Sequence, residues 1–297
     1  MSVAQSRAGR ATVERRATAP EGRIAGGQRP WGLYILLGIG LVAVVGPFVW
    51  MVLGSLKTQG ELLASPPTLF PEAPTFDNFT RLFERADFTR FFVNSTLVAV
   101  VVTLANLLFC SMAGYALAKL DFFGKRPLFG MAVATLMVPT SVTIVPLFVL
   151  MGKFGLVDSY AAVILPFAAG AFGVFLMRQF MSGVPDELLD AARIDGASEW
   201  RIFRSVVMPL LKPGLAALGI FQFLATWNNF LWPLVVLTSE DKYTLPVALA
   251  STAIGQNRSD YGLLMAGSVL LVVPVIAVFL ALQRHFTQSI AMTGLKG

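Results

Sequence analysis

Charge is what this chain has least of. Only 13% of its 297 residues are Asp, Glu, Lys or Arg, about half of the roughly 25% usual in a soluble domain. Water is therefore not the main solvent for its surface. There is one cysteine, Cys110, set inside an apolar run. An internal disulfide framework is excluded, and Cys110 reads as a small core hydrophobe. There is one histidine, His285, and without a cysteine cluster beside it the sequence argues against a His/Cys metal site. No Gly-x-x-x-x-Gly-Lys-Ser/Thr segment occurs, so the chain has no phosphate-cradling loop for a nucleotide. No Ser/His/Asp set, metal-ligand cluster or pair of membrane carboxylates supports a membrane enzyme. The net charge of +6 reflects where the basic residues cluster along a membrane topology and is not read as a nucleic-acid surface.

What the chain has in abundance is apolar sequence: 56% hydrophobic residues and a mean hydropathy of +0.70. A spanning helix needs about 20 apolar residues. Six stretches meet or approach that length: Trp31–Leu56, Phe91–Ala118, Pro127–Gly152, Ser159–Met177, Pro213–Ser239 and Tyr261–Gln283. They are too long for strands and lack the alternation of a membrane barrel. Backbone groups in lipid must be satisfied internally, so the stretches are expected to be helices. With the N-terminus placed in the cytoplasm, sixteen basic residues fall inside and seven outside. This positive-inside bias predicts an all-α membrane protein with six transmembrane helices and both termini cytoplasmic. Residues 1–30 carry six arginines among small polar residues. The apolar run after them is too long for a signal peptide, and they read as a disordered basic tail held inside, with or without contact to anionic lipid. Residues 31–297 form the membrane domain. An outer loop near Lys57–Arg90 is proline-rich and has room for a short surface helix over Phe76–Glu84.

The inner loop, about 182–212, is long for a simple connection. Pro185 suits the start of a helix, and Asp186, Glu187 and Asp190 favour the positive end of its dipole. Leu188, Leu189, Ala191 and Ala192 supply a compact apolar surface. Gly196 ends the helix, and its backbone should be left-handed. Ser198 is a suitable N-cap for a second helix. Trp200, Phe203 and Val207 would then share a face turned to the bilayer, away from Arg201 and Arg204. Pro209 and Pro213 mark the turn into the next span. On this pattern the loop is either a docking knob with small residues at its bend or an ordinary amphipathic connection.

Asp190-Ala191-Ala192, Gly196, Val206, Met208 and Pro209 resemble the EAA motif of ABC importer permeases: E-A-A, three residues, G, nine residues, I, one residue, L-P. The spacings match. Asp190, Val206 and Met208 replace the motif's Glu, Ile and Leu conservatively. Asn94-Ser95-Thr96-Leu97, Ala113–Ala118 with Phe122-Phe123-Gly124-Lys125, Trp227-Asn228-Asn229-Phe230-Leu231-Trp232-Pro233 and the closing Gly294-Leu295-Lys296-Gly297 are similar to carbohydrate permeases of the maltose type, on the MalG-like side. The resemblance covers about Trp31 to Gly297. It implies a multi-pass subunit of a bacterial inner (plasma) membrane importer for sugars or oligosaccharides. It also implies four kinds of partner: a second, MalF-like permease, two ABC ATPase subunits, an extracytoplasmic substrate-binding protein and membrane lipid. No nucleic acid is expected. This chain would bind no cofactor, with ATP and Mg on the partner ATPase, and it would not itself be an enzyme. Carried over, the ATPase-coupling residues are Asp190, Ala191, Ala192, Asp195, Gly196 and Pro209.

Polar groups within apolar stretches serve helix contact or a solute path. The candidates for a substrate path are Asn94, Thr140, Gln222, Thr226, Trp227, Asn228 and Asn229. Amides beside aromatic faces suit a sugar's hydroxyls and C–H faces; the same residues equally suit interhelical hydrogen bonds and an aromatic belt. No Asp, Glu or Lys lies in the six stretches, which argues against a proton- or sodium-coupled transporter. Glycerol-phosphate diesters or another polar solute are the alternative substrates; the lack of basic residues in the stretches favours neutral sugars. Pro139, Pro146, Pro166 and Pro274 are either bend points or tolerated kinks.

Overall fold

A computed structural model describes residues 31–85, 87–253 and 260–293. The basic tail, Arg258 and the closing Gly294–Gly297 lie outside the described residues. Among those described there is no strand. The helices are α1 (Trp31–Ser55), α2 (Gln59–Leu62), α3 (Asp77–Arg85), α4 (Phe88–Lys119), α5 (Lys125–Thr135), α6 (Thr140–Lys153), α7 (Tyr160–Ile164), α8 (Ala171–Ser182), α9 (Asp186–Ile194), α10 (Glu199–Ile202), α11 (Met208–Leu210), α12 (Lys212–Trp227), α13 (Leu231–Val236), α14 (Leu245–Ala253) and α15 (Tyr261–Thr293). By internal contacts the chain divides into Met1–Phe48 and Val49–Gly297. The part of α1 before Val49 is apolar all round, as suits a helix in lipid.

Four helical runs of the described residues are long and apolar enough to span: α1, α4, Tyr160–Ser182 and Tyr261–Ala281. Counting two bent pairs raises the number to six. The expected third stretch, Pro127–Gly152, is one of those pairs. Its halves, α5 and α6, meet at 104°. Pro139 causes the break: the residue before a proline is pushed out of the helical region, and Pro139 itself stands as an extended cap to α6. The expected fifth stretch, Pro213–Ser239, stops early. α12 ends at Trp227, where Asn228 caps the backbone through Nδ2 to Leu224 O at 2.9 Å. Its 16 residues reach about 24 Å, short of the roughly 30 Å hydrocarbon layer. Before it, Glu199–Leu210 turns into α12 at 80°. Pro166 sits in a 3-10 turn, Leu165–Phe167, whereas Pro146 and Pro274 lie inside continuous helices. The outer-loop helix forms one residue later than expected, as α3.

α4 is the centre of the bundle. Phe91, Asn94, Ser95, Val98, Val102, Asn106, Cys110, Gly114, Tyr115 and Leu117 are buried along it at helical spacing. α8 and α12 pack on that stripe. The α4–α8 approach depends on small residues. A Cβ on Gly114 would stand 2.9 Å from Met177 Cβ and from the Arg178 backbone nitrogen. The break before α8 frees backbone groups that lipid cannot satisfy, and Asn106 satisfies them. Its Nδ2 donates to Phe167 O at 2.5 Å, and its Oδ1 accepts from Gly170 N at 3.0 Å. Cys110 is buried beside it, its Sγ 3.3 Å from Asn106 Oδ1.

Candidate functional site

The segment after α8 folds as a helical elbow at one end of the bundle. α9 begins after Pro185, and Asp186 and Glu187 occupy its first turn. It ends in a Schellman turn. Gly196 has φ +77°, Gly196 N donates to Arg193 O, and Ala197 N donates to Ala192 O, both at 3.0 Å. Ser198 Oγ then caps α10 by accepting from Arg201 N. The left-handed glycine and the serine cap stand where the sequence puts them.

The expected aromatic face is divided. Phe203 and Val207 are buried, with Ile202 and Leu211, among Tyr115, Met177, Met181 and Leu189. Trp200 remains 56% exposed. The expectation that all three face the bilayer is thus corrected. A π-helical stretch, Phe203–Val207, replaces regular α-helical winding and lets residues 203, 207 and 211 follow one another into the core. Arg201 and Arg204 are exposed as expected. The apolar residues of α9 divide as well. Leu189 is buried and Ala192 packs inward, while Leu188 (45% exposed), Ala191 and Ile194 (87% exposed) face out. Asp190, Asp195, Gly196 and Pro209 are also exposed. The elbow therefore presents a small, mixed apolar and acidic tip.

Two polar ties join this tip to the end of α4. Lys119 Nζ, its side chain only 5% exposed, donates to Val184 O and to Asp186 Oδ1, both at 2.6 Å. Tyr115 OH donates to Glu199 Oε2 at 2.5 Å. Glu199 also accepts from Arg193 Nε at 2.8 Å, and Arg193 Nη1 donates to Asp190 Oδ1 at 2.8 Å. The hydrogen bond from Lys119 holds the Asp186 carboxyl below its usual range. Bonds to Glu199 and then Asp190 raise the Arg193 guanidinium further above its already high value. Sequence reasoning missed Tyr115, Lys119, Arg193 and Glu199. Tyr115 lies within the Ala113–Ala118 segment, but one sequence gives no sign that it meets a residue 84 positions away.

A family model described as "binding-protein-dependent transport system inner membrane component" matches residues 108–292, which contain the elbow and both ties. The chain belongs to that family. It is 42% identical over 268 residues to the arabinooligosaccharide permease AraQ of Halalkalibacterium halodurans, covering 89% of this chain and 96% of that one. It is 36% identical to the lactose permease LacG of Rhizobium radiobacter, covering 86% and 93%. A solved bacterial ABC transporter involved in import of the acidic polysaccharide alginate has a chain superposing with a TM-score of 0.78 at 26% identity, covering 86% of this chain and 96% of that one. This member of the binding-protein-dependent family is an inner-membrane ABC permease subunit, without catalysis of its own; ATP hydrolysis belongs to a separate subunit.

The residues expected along a solute path differ in how far their polar atoms are engaged within the bundle. Asn94 donates to Asp241 O and Tyr243 O, both at 3.0 Å, and accepts from Tyr160 OH at 2.8 Å. Trp227 is buried, stacks on Phe223, and donates Nε1 to Leu271 O at 2.9 Å. Asn229 Oδ1 accepts from Trp232 N, while Asn228 caps α12. Gln222 and Thr226 are half-buried and hydrogen-bonded to one another at 3.2 Å. Thr140 is exposed at the start of α6.

Proposed function

We propose that this chain is the MalG-like permease of an ATP-driven importer that passes oligosaccharides from an extracytoplasmic binding protein to the cytoplasm by alternating access. Residues 1–30 are its cytoplasmic tail, residues 31–297 its membrane domain of six spans, and both termini lie inside. Asp190, Ala191, Ala192, Asp195, Gly196 and Pro209 form the surface on which one of two ATPase subunits docks. A second, MalF-like permease completes the pore, and ATP and Mg reside on the ATPases. The observation that carries this reading is the exposed α9 tip, held to α4 by Lys119 and Tyr115. A displacement of the tip then moves the central helix. Along the pore, Gln222, Thr226 and Thr140 are the best placed of the candidate residues to meet solute, because Asn94 and Trp227 have their polar atoms engaged by other segments of the bundle, whereas the Gln222–Thr226 bond lies within one turn of α12. AraQ, LacG and the diacetylchitobiose permease NgcG of Streptomyces coelicolor resemble this chain at 36–42% identity. The sn-glycerol-3-phosphate permease UgpE of Escherichia coli does so at 33%, which favours sugar over a glycerol-phosphate substrate.

The test is purification of the complex through a tag on this chain, with and without Gly196→Trp. A Cβ at Gly196 meets no atom of this chain within 4 Å, although its φ disfavours any side chain. The variant permease should remain in the membrane, and the ATPase should be recovered with wild type and lost with the variant. Recovery of the ATPase with both would remove the docking surface from the α9 tip.

A further inference from the structure

Beside the elbow, α4, α5 and α8 enclose a second feature that the coupling role does not use. A cavity of about 290 Å³ is lined by Leu117, Asp121, Lys125, Arg126, Phe129 and Arg178. Three cations face one carboxylate there, and the pairing is incomplete. Lys125 Nζ reaches Asp121 Oδ1 at 3.4 Å and Ala118 O at 3.5 Å, both at the long limit of a hydrogen bond. The Asp121 side chain is fully exposed. Arg126 is exposed and makes no ion pair among the described residues. Arg178 lies 4.0 Å over the ring of Phe129, and its buried Nε has no hydrogen-bond partner. A buried donor without a partner is uncommon in a native fold and calls for an acceptor.

The surroundings state what kind of acceptor fits. Phe129 stacks on Phe175 at 6.3 Å and 13°, so the cationic pocket continues into an aromatic wall. Leu128 and Met131 add exposed apolar surface along α5, and Phe123, in the turn before α5, is fully exposed. Basic groups at the end of an apolar helix, beside an exposed aromatic, are the pattern of a lipid headgroup layer. A free phosphate would satisfy the cations and leave the aromatic wall bare.

We infer that this pocket binds the phosphate of an anionic phospholipid, with Lys125, Arg126 and Arg178 on the headgroup and the acyl chains along α5 and Phe175. The inference rests on the cytoplasmic placement of the α4–α5 turn proposed above, since basic pockets between helices on that side take anionic headgroups.

The experiment uses the whole complex, delipidated in a neutral detergent and titrated with phosphatidylglycerol or phosphatidylcholine, with bound lipid counted by native mass spectrometry. Wild type should retain phosphatidylglycerol over phosphatidylcholine. The Lys125→Gln/Arg126→Gln variant, whose altered groups sit at the rim of the cavity, should bind it about tenfold more weakly or worse. Lys125→Arg/Arg126→Lys should keep the binding, which separates loss of charge from loss of fold. Equal retention by wild type and the Gln variant would overturn the proposal. So would full displacement by millimolar inorganic phosphate, which would make the ligand a free anion. Release of the ATPase by the Gln variant with phosphatidylglycerol binding unchanged would assign the pocket to a protein contact instead. Lipid retention is read without ATP or sugar, so it stands or falls separately from the transport reading.

Discussion

Gly196 and Asp158 both hold a positive φ, +77° and +62°, for different reasons. Gly196 has no Cβ to resist the left-handed region, and a glycine closing a helix is legible from sequence because the Schellman turn asks for it. Asp158 is held there by its partners. Its carboxylate accepts from Thr238 N and Ser239 N at 2.9 Å, Ser239 Oγ at 2.5 Å and Lys242 Nζ at 2.7 Å. Those partners lie at least 80 positions away, so no local pattern announces them. The hydrogen bond from Lys242, then those from Ser239 and Thr238, hold the Asp158 carboxyl well below its ordinary range. A depressed folded-state pKa gives stability that is complete above the ordinary value of about 3.9 and is lost as pH falls below it. In thermal unfolding of the purified complex, Asp158→Asn should therefore melt below wild type by a constant margin from pH 8 to pH 5. A margin that closed between pH 7 and pH 5 would contradict this account of Asp158.

Among the elements, α4 and the elbow were the most legible and the interrupted spans the least. The buried stripe on α4 follows helical periodicity, and the caps of α9 and α10 follow residue chemistry. Composition cannot distinguish a straight span from α5 and α6 meeting at 104°, because residues 127–152 are uncharged throughout. Pro139 marked the break, but Pro146 and Pro274 have the same chemistry and stay within helices. The π-helical slip that buries Phe203 and Val207 and leaves Trp200 outside is likewise set by what packs on the elbow. That packing makes the ties between α4 and the elbow testable. Tyr115→Phe keeps the ring against Phe203, 5.4 Å away between centroids, and removes a hydrogen bond to a carboxylate, an interaction of roughly 1.5–3 kcal/mol. The ATPase should still copurify, while stimulation of its activity by the loaded binding protein should fall severalfold relative to the basal rate. Unchanged stimulation would place the tie outside the coupling path.

At the scale of the whole molecule, low charge, long apolar stretches and the EAA spacing were enough to read an importer permease. The solute path was not legible, because amides and tryptophans that suit a sugar also suit helix packing. In Asn94 and Trp227 the packing role is occupied. Transport by this chain is dependent: it moves solute only through the work of a partner. The direct test is uptake of a labelled oligosaccharide, chosen as one that the complex's own binding protein carries, into vesicles holding the assembled complex, with the binding protein outside. Uptake is expected with ATP enclosed, and none with a non-hydrolysable ATP analogue or without the binding protein. Equal uptake in all three conditions would contradict it and make the chain a self-sufficient transporter.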